Sequence, residues 1–398
     1  MKVVSLVAFL CFSLYGFSQD FTKYTDPIHQ LSMAFSKPSA IDELWGSLKK
    51  SNQIPFVAGD SVAFLYRGAA KSVEWMGDFN GWGYDKKFNN KGKQISNTDV
   101  WILKASFPKN ARLDYKIVLG GYTYILDPEN PNQQWSGVGG GSPNSELRMP
   151  DWKEDTALEH RDGIPHGKVK SEILFQSKAL GYQITYSVYL PYGYQDLGNL
   201  PVIYVTDGFE YMHPKMGNMV TILDNLILDK KIIPIIAIFI DHREPVNRSN
   251  NRRMDELAMN EKYMKFFTAE FIPLIEQNYP VTKGRENRAI LGTSMGGLTS
   301  AYFIFSRPEV FGMAGIQSPS FWSKPQIYSL CDSVSNSTTK ISMTSGVIHD
   351  ASESTRRMKT ILEKNSCIYT YRETNEGHSW GNWRNLIDDI LIDFFGVK

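Results

Sequence analysis

Cysteine is scarce in this chain of 398 residues: there are three. Cys11 falls in an apolar N-terminal stretch. Cys331 and Cys367 alone cannot build a structural zinc site of the paired-CxxC kind. They are either one bridge, which an oxidising compartment permits, or two buried free thiols. An excess of one charge is also missing, with 43 Lys and Arg against 42 Asp and Glu. A protein that tracks phosphates needs a basic face, and no Lys/Arg cluster supplies one, which argues against a nucleic-acid partner. HExxH and Walker-type loops are absent too, and nothing else in the chain calls for a metal or cofactor. No repeat or low-complexity tail stands out.

What is present is ordinary globular material, 42% hydrophobic and 21% charged, in a chain too long for one core, so two domains are expected. Residues 1–18, MKVVSLVAFLCFSLYGFS, carry one cation, Lys2. An apolar run too short to span a bilayer follows, then small residues at signal-peptidase spacing. They read as a cleaved export signal, giving a periplasmic or secreted product without stable membrane insertion. Cys11 follows Leu10 rather than a small residue, which disfavours a lipid anchor. Loss of Lys2 with the leader leaves 42 basic and 42 acidic residues.

After an N-terminal segment, 19–57, residues 58–150 alternate apolar and polar in short runs (SVAFLYRG, SVEWMGDF, VWILKASF, LDYKIVLGG, YTYILD), the pattern of a small immunoglobulin-like β-sandwich. Within it the Gly, Ser and Pro of 136–152 read as linker-like, and a linker is assigned to 151–169. From 170 to 398 the rhythm changes. A hairpin, SEILFQS and YQITYSVYLP, is followed by PVIYVT, IPIIAIFI, NRAILG, GMAGIQS, KISMTSG and CIYTYRE, separated mostly by helical periodicity. This predicts an α/β-hydrolase fold with a mostly parallel sheet covered on both faces.

Ligands of such sheets sit beyond the carboxyl ends of the strands. There, ILGTSMGGLTSAY places Ser294 between Gly292 and Gly296, after a strand and before a helix, the context of a nucleophile elbow. A bare GxSxG is common by chance, and the alternative is a serine that caps a helix. Partners decide. The expected order is Ser, then an acid, then His. Only His349 and His378 follow Ser294, and His378 alone occupies the last loop before the final helix; His349 reads as a packing or capping residue. Asp350, at the carboxyl end of KISMTSG, is the candidate acid, with Glu353 in reserve as a first-turn residue that suits the helix dipole. Oxyanion donors would be the backbone N–H groups of Met295 and, by position alone, Phe209. Phe209, Tyr211, Phe321, Trp322 and Trp380 fall near strand ends, where they would line an aromatic pocket or simply wall the cleft.

On these residues the chain resembles the enterochelin esterase-like branch of the esterase D superfamily, whose relatives include feruloyl and acetyl-xylan esterases of the first carbohydrate esterase family. IPHGKV, VYLPYGY, VIYVTDG, RRMDEL, FIPLIEQNYPV, ILGTSMGG, RPEVFG, QSPSFWS and EGHSWGNWR occur in order over residues 163–396. The resemblance implies Ser294 as nucleophile, His378 as base and an acid where Asp350 stands. It also implies a polar canopy, IDHREPVNRSNNRRMDEL, in which Arg253 and Asn260 contact substrate or else serve in structural pairs with Glu256 or a neighbour. VEWMGDFNGW, VWILKASF, YKIVLGG and ILDPENP resemble an isoamylase N-terminal or glycogen-binding sandwich, in which Trp82 or Trp101 would stack on sugars or belong to the core.

The activity implied is serine ester hydrolysis, first on acetyl or hydroxycinnamoyl esters of polysaccharides or oligosaccharides. The alternatives are a siderophore trilactone, acyl transfer to a sugar acceptor in the manner of mycolyltransferases, or glycan binding without catalysis.

Overall fold

The computed structural model describes residues 26–136, 142–333 and 338–397. The expected leader, 1–18, and Cys11 lie outside them. Among the described residues nine strands precede residue 150: β1 (Phe56–Ala58), β2 (Ser61–Arg67), β3 (Val73–Gly77), β4 (Lys93–Gln94), β5 (Val100–Ser106), β6 (Arg112–Leu119), β7 (Thr123–Ile125), β8 (Gln133–Ser136) and β9 (Ser142–Arg148). They form one sheet in the order β1-β2-β5-β4 and another in the order β3-β6-β9-β8, with β7 on β6. The stretch 136–152, read as linker-like, therefore contains a paired strand: Ser145 in β9 stands opposite Tyr115 in β6.

Period-two alternation decides which side chains fill which core. Val62 and Phe64 of β2 join Trp75, Leu113, Tyr115 and Ile117 in a buried cluster shared by the two sheets. Ala63 and Leu65 point the other way, under the helices Pro27–Phe35 and Ile41–Lys50, which bring Ile28, Leu31, Phe35, Trp45 and Leu48. Asp26 starts the first helix by accepting from Ile28 N at 2.9 Å. Trp101, offered as a sugar platform, belongs to the shared cluster at 7% exposure.

The third sheet has eight strands: β10 (Lys168–Gln176), β11 (Gln183–Leu190), β12 (Val202–Val205), β13 (Ile236–Asp241), β14 (Arg288–Thr293), β15 (Met313–Gln317), β16 (Lys340–Gly346) and β17 (Ile368–Thr374). Their order is β10-β11-β13-β12-β14-β15-β16-β17. The sheet is mixed. β10, β11 and β13 pair antiparallel, whereas β12 pairs parallel with both β13 and β14, and the run from β14 to β17 is parallel. Its central strands read as continuous apolar runs because both faces are covered. Tyr204, Ile238 and Ile290 face one core, while Ile203, Val205, Ala237, Phe239 and Leu291 face the other. From β12 the chain passes to β13 on one side and then returns to β14 on the other. The crevice beyond the carboxyl ends of β12 and β14 is thus a topological switch point. Among the described residues no helix is long and apolar enough to cross a membrane.

Candidate active site

Ser294 stands at that switch point, between β14 and the helix Met295–Ser306. Its backbone has φ +58° and ψ −114°, and its hydroxyl makes no capping bond to the helix it precedes. The turn can be this tight because of its glycines. A Cβ on Gly292 would run into the Gly296 backbone and the Thr206 hydroxyl, and one on Gly296 would meet the same hydroxyl. Ser294 N donates to Gln317 O at 2.9 Å, and Ser294 O accepts from Leu298 N and Ser320 N at 3.1 and 3.0 Å. The side chain is thereby aimed away from the helix.

The loop after β17 brings His378 Nε2 to 3.0 Å from Ser294 Oγ, and His378 Nδ1 lies 2.6 Å from Asp350 Oδ1. With the proton on Nδ1, the ring donates to Asp350 and accepts the serine hydroxyl, so one tautomer satisfies both contacts. The Asp350 side chain is fully buried and that of His378 is 40% exposed. Asp350 Oδ2 accepts from Ser318 Oγ and from Gly346 N, each at 2.6 Å. Ser318 in turn accepts from Trp383 Nε1 at 2.9 Å, and the Trp383 ring meets the imidazole edge to face, centroids 4.8 Å apart. Ser320 Oγ lies 3.1 Å from Ser294 Oγ. Sequence reasoning overlooked Ser318 and Ser320, since nothing local distinguishes these two serines in QSPS.

The other candidates are placed as follows. Met295 opens the helix after Ser294 and is buried. Phe209 lies at the start of the helix Gly208–Met212, its ring covered by the Arg243 guanidinium at 3.5 Å. Arg253 reaches the cavity, but its Nε donates to Asp207 Oδ1 at 2.7 Å and Nη2 to Thr293 O at 3.2 Å, so its ion pair is with Asp207. Glu256 instead pairs with His242 at 2.5 Å. Asn260 caps the helix Glu261–Phe266, accepting from Lys262 N and Tyr263 N. Trp380 is fully buried, donates to Glu210 Oε2 at 2.7 Å and contributes to the cavity wall; Trp322, 75% exposed, is outside that wall. Glu353 is an exposed first-turn residue of the helix Ser352–Lys364, and His349 Nε2 meets Asp85 Oδ2 at 3.4 Å. No disulfide joins Cys331 to Cys367.

A cavity of about 480 Å³ opens over Ser294 and His378. One side is built from Glu210, Arg253, Trp380 and Trp383, the other from Asp114 and Lys116 of β6, Asn144 of β9, and Asp78 and Trp82 of the turn after β3. Trp82 thus lines the same cavity as the serine, and its Nε1 donates to Asp78 Oδ1 at 3.2 Å. Burial, reinforced by the Asp114 charge, pushes the Asp78 carboxyl up to about 8.

A family model described as a putative esterase matches residues 177–394, more than half of the chain. The chain belongs to this esterase family. It is 32% identical over 176 residues to an endo-1,4-β-xylanase/feruloyl esterase from Xylanibacter ruminicola, covering 42% of this chain and 23% of that one. To an iron(III) enterobactin esterase from Escherichia coli it is 28% identical over 206 residues, covering 50% and 46%. The chain therefore spans less than half the length of either relative. Among solved structures, the enterobactin esterase from Shigella flexneri superposes with a TM-score of 0.70 at 21% identity, covering 84% of this chain and 92% of that one. The esterase fold is shared, and the overlap is wider than the family match itself.

Proposed function

We propose that this esterase-family chain is a carboxylic ester hydrolase in which Ser294, His378 and Asp350 form the catalytic triad. The hydrogen-bonded chain from Ser294 Oγ through His378 to the buried Asp350 carries the reading. His378 takes the serine proton as Oγ attacks the ester carbonyl, and Asp350 stabilises the resulting imidazolium. The backbone N–H groups of Met295 and Phe209 hold the oxyanion. His378 then protonates the leaving alcohol, and water activated by the same ring releases the acid.

The substrate we propose is an acetyl or hydroxycinnamoyl ester carried by a neutral saccharide. Two observations support it. The relative with the higher identity of the two described is a xylanase/feruloyl esterase. The lining also offers a highly anionic iron catecholate little free positive charge: of its two cations, Lys116 and Arg253, the second is already paired with Asp207. The likeness to iron(III) enterobactin esterase keeps a trilactone siderophore as the second reading. We further propose that 58–150 forms a β-sandwich domain joined through 151–169 to an α/β-hydrolase domain, and that residues 1–18 direct export.

The test sets aryl acetate, feruloylated xylo-oligosaccharide and a catechol trilactone before the wild type and Ser294→Ala. Hydrolysis of the first two by the wild type alone is expected. Equal rates for both proteins would discard the triad, and a clear preference for the trilactone would replace the substrate.

A further inference from the structure

We infer that Arg112, a residue of the N-terminal sheets, positions the His378 imidazole, an inference that rests on the esterase chemistry proposed above. Arg112 lies in β6 with its side chain fully buried. Its guanidinium fork divides between two parts of the molecule. Nε donates to Glu146 Oε1 at 2.5 Å and Nη2 to Asp114, both within the N-terminal sheets. Nη1 donates to Ser379 Oγ at 3.0 Å and lies 3.9 Å from Glu376 Oε2, both in the loop that carries His378. The backbone of Arg112 also forms an isolated parallel bridge with Glu376. The loop is thus held on both sides of the histidine, at 376 and at 379.

The packing around these bonds leaves the loop little freedom. Trp152 Nε1 donates to Glu376 Oε1 at 3.0 Å. Gly377 lies so close to Asp78 that a Cβ would overlap its carboxyl, and the Gly381 backbone lies against the Arg112 guanidinium itself. A cation buried this deeply is tolerated only when its donors are paired, and an apolar residue would pack between two modules with less desolvation. A planar fork adds direction: it fixes the Glu376–Ser379 segment relative to a rigid sheet. A general base displaced by a fraction of its hydrogen-bond length from its serine loses much of its effect. Arg112 neither contacts Ser294 nor lines the cavity, so it is a positioning residue.

The experiment uses the full chain with two substitutions. Ser379→Ala removes one acceptor from the loop and leaves every carboxylate paired; Arg112→Lys keeps the charge and loses the fork. Two quantities are measured: kcat and KM on an aryl acetate, and the low-field proton resonance of His378 Nδ1–H in its bond to Asp350. For both variants, kcat should fall by about tenfold or more with KM within about twofold of wild type, and the resonance should shift or broaden. The double variant should lose little beyond the worse single one, because both act through one contact. Wild-type kcat and an unchanged resonance in Ser379→Ala overturn the inference, as does a loss confined to KM. If Arg112→Lys fails to fold, Ser379→Ala carries the test alone. If the wild type and Ser294→Ala hydrolyse the ester equally, the esterase reading has failed. The resonance then decides by itself whether Arg112 orients His378.

Discussion

Ser294 holds a backbone conformation that side chains avoid, and the stability of the chain should register it. At φ +58° and ψ −114° a residue with a Cβ carries strain of roughly 1–3 kcal/mol. Replacing Ser294 by Ala keeps the Cβ and the strain; replacing it by Gly removes both. Glycine also loosens the unfolded chain, which offsets about 0.4–1 kcal/mol of the gain. The net difference should favour Ser294→Gly over Ser294→Ala by about 1 kcal/mol, raising Tm by about 1–2 °C. Paired calorimetric melts of the two variants at one pH measure it. The comparison is clean because both lack the hydroxyl and its bonds to His378 and Ser320. A glycine variant that melts below the alanine variant would show that the strain at this position is smaller than the offset from the looser unfolded chain, and so refute the estimate.

Asp350→Asn should preserve the fold yet lower kcat by roughly 10³- to 10⁴-fold on an aryl acetate, since an amide no longer stabilises the imidazolium. Asp78, raised to about 8 by burial, keeps its proton in the fold after the unfolded chain has lost it. Its contribution is full below about pH 4 and is lost as pH rises to about 8, so Asp78→Asn should flatten the fall of Tm over that window. Gly381→Ala should destabilise by about 1–3 kcal/mol in denaturant melts, because the new methyl meets the Arg112 guanidinium.

The residues of the proposed triad were legible because each is announced locally: Ser294 by the glycines of its turn, Asp350 and His378 by the strands they follow. The inner face of β6 was legible as well, with Leu113, Tyr115 and Ile117 alternating into the core. Its other face was not. Arg112, Asp114 and Lys116 carry the polar half of that alternation, and by the period-two rule they read as a solvated surface. The esterase part of the chain covers that surface, which turns a run of ordinary polar positions into a buried ionic cluster and one wall of the cavity. The partners at 146, 376 and 379 are scattered along the chain, so no spacing signals them. Trp82, read from the sequence as a sugar platform or a core residue, instead lines the cavity that this covered face shares with the serine.

Bonding between β6 and the histidine loop bears on how such chains can be recombined. A side chain at residue 381 runs into the arginine at 112, and the 376 backbone is stitched to the 112 backbone. A chimera that takes its first 150 residues from one homologue and the remainder from another would join surfaces shaped for different neighbours. Functional hybrids should therefore be those in which the 112 and 376–381 positions descend from the same parent.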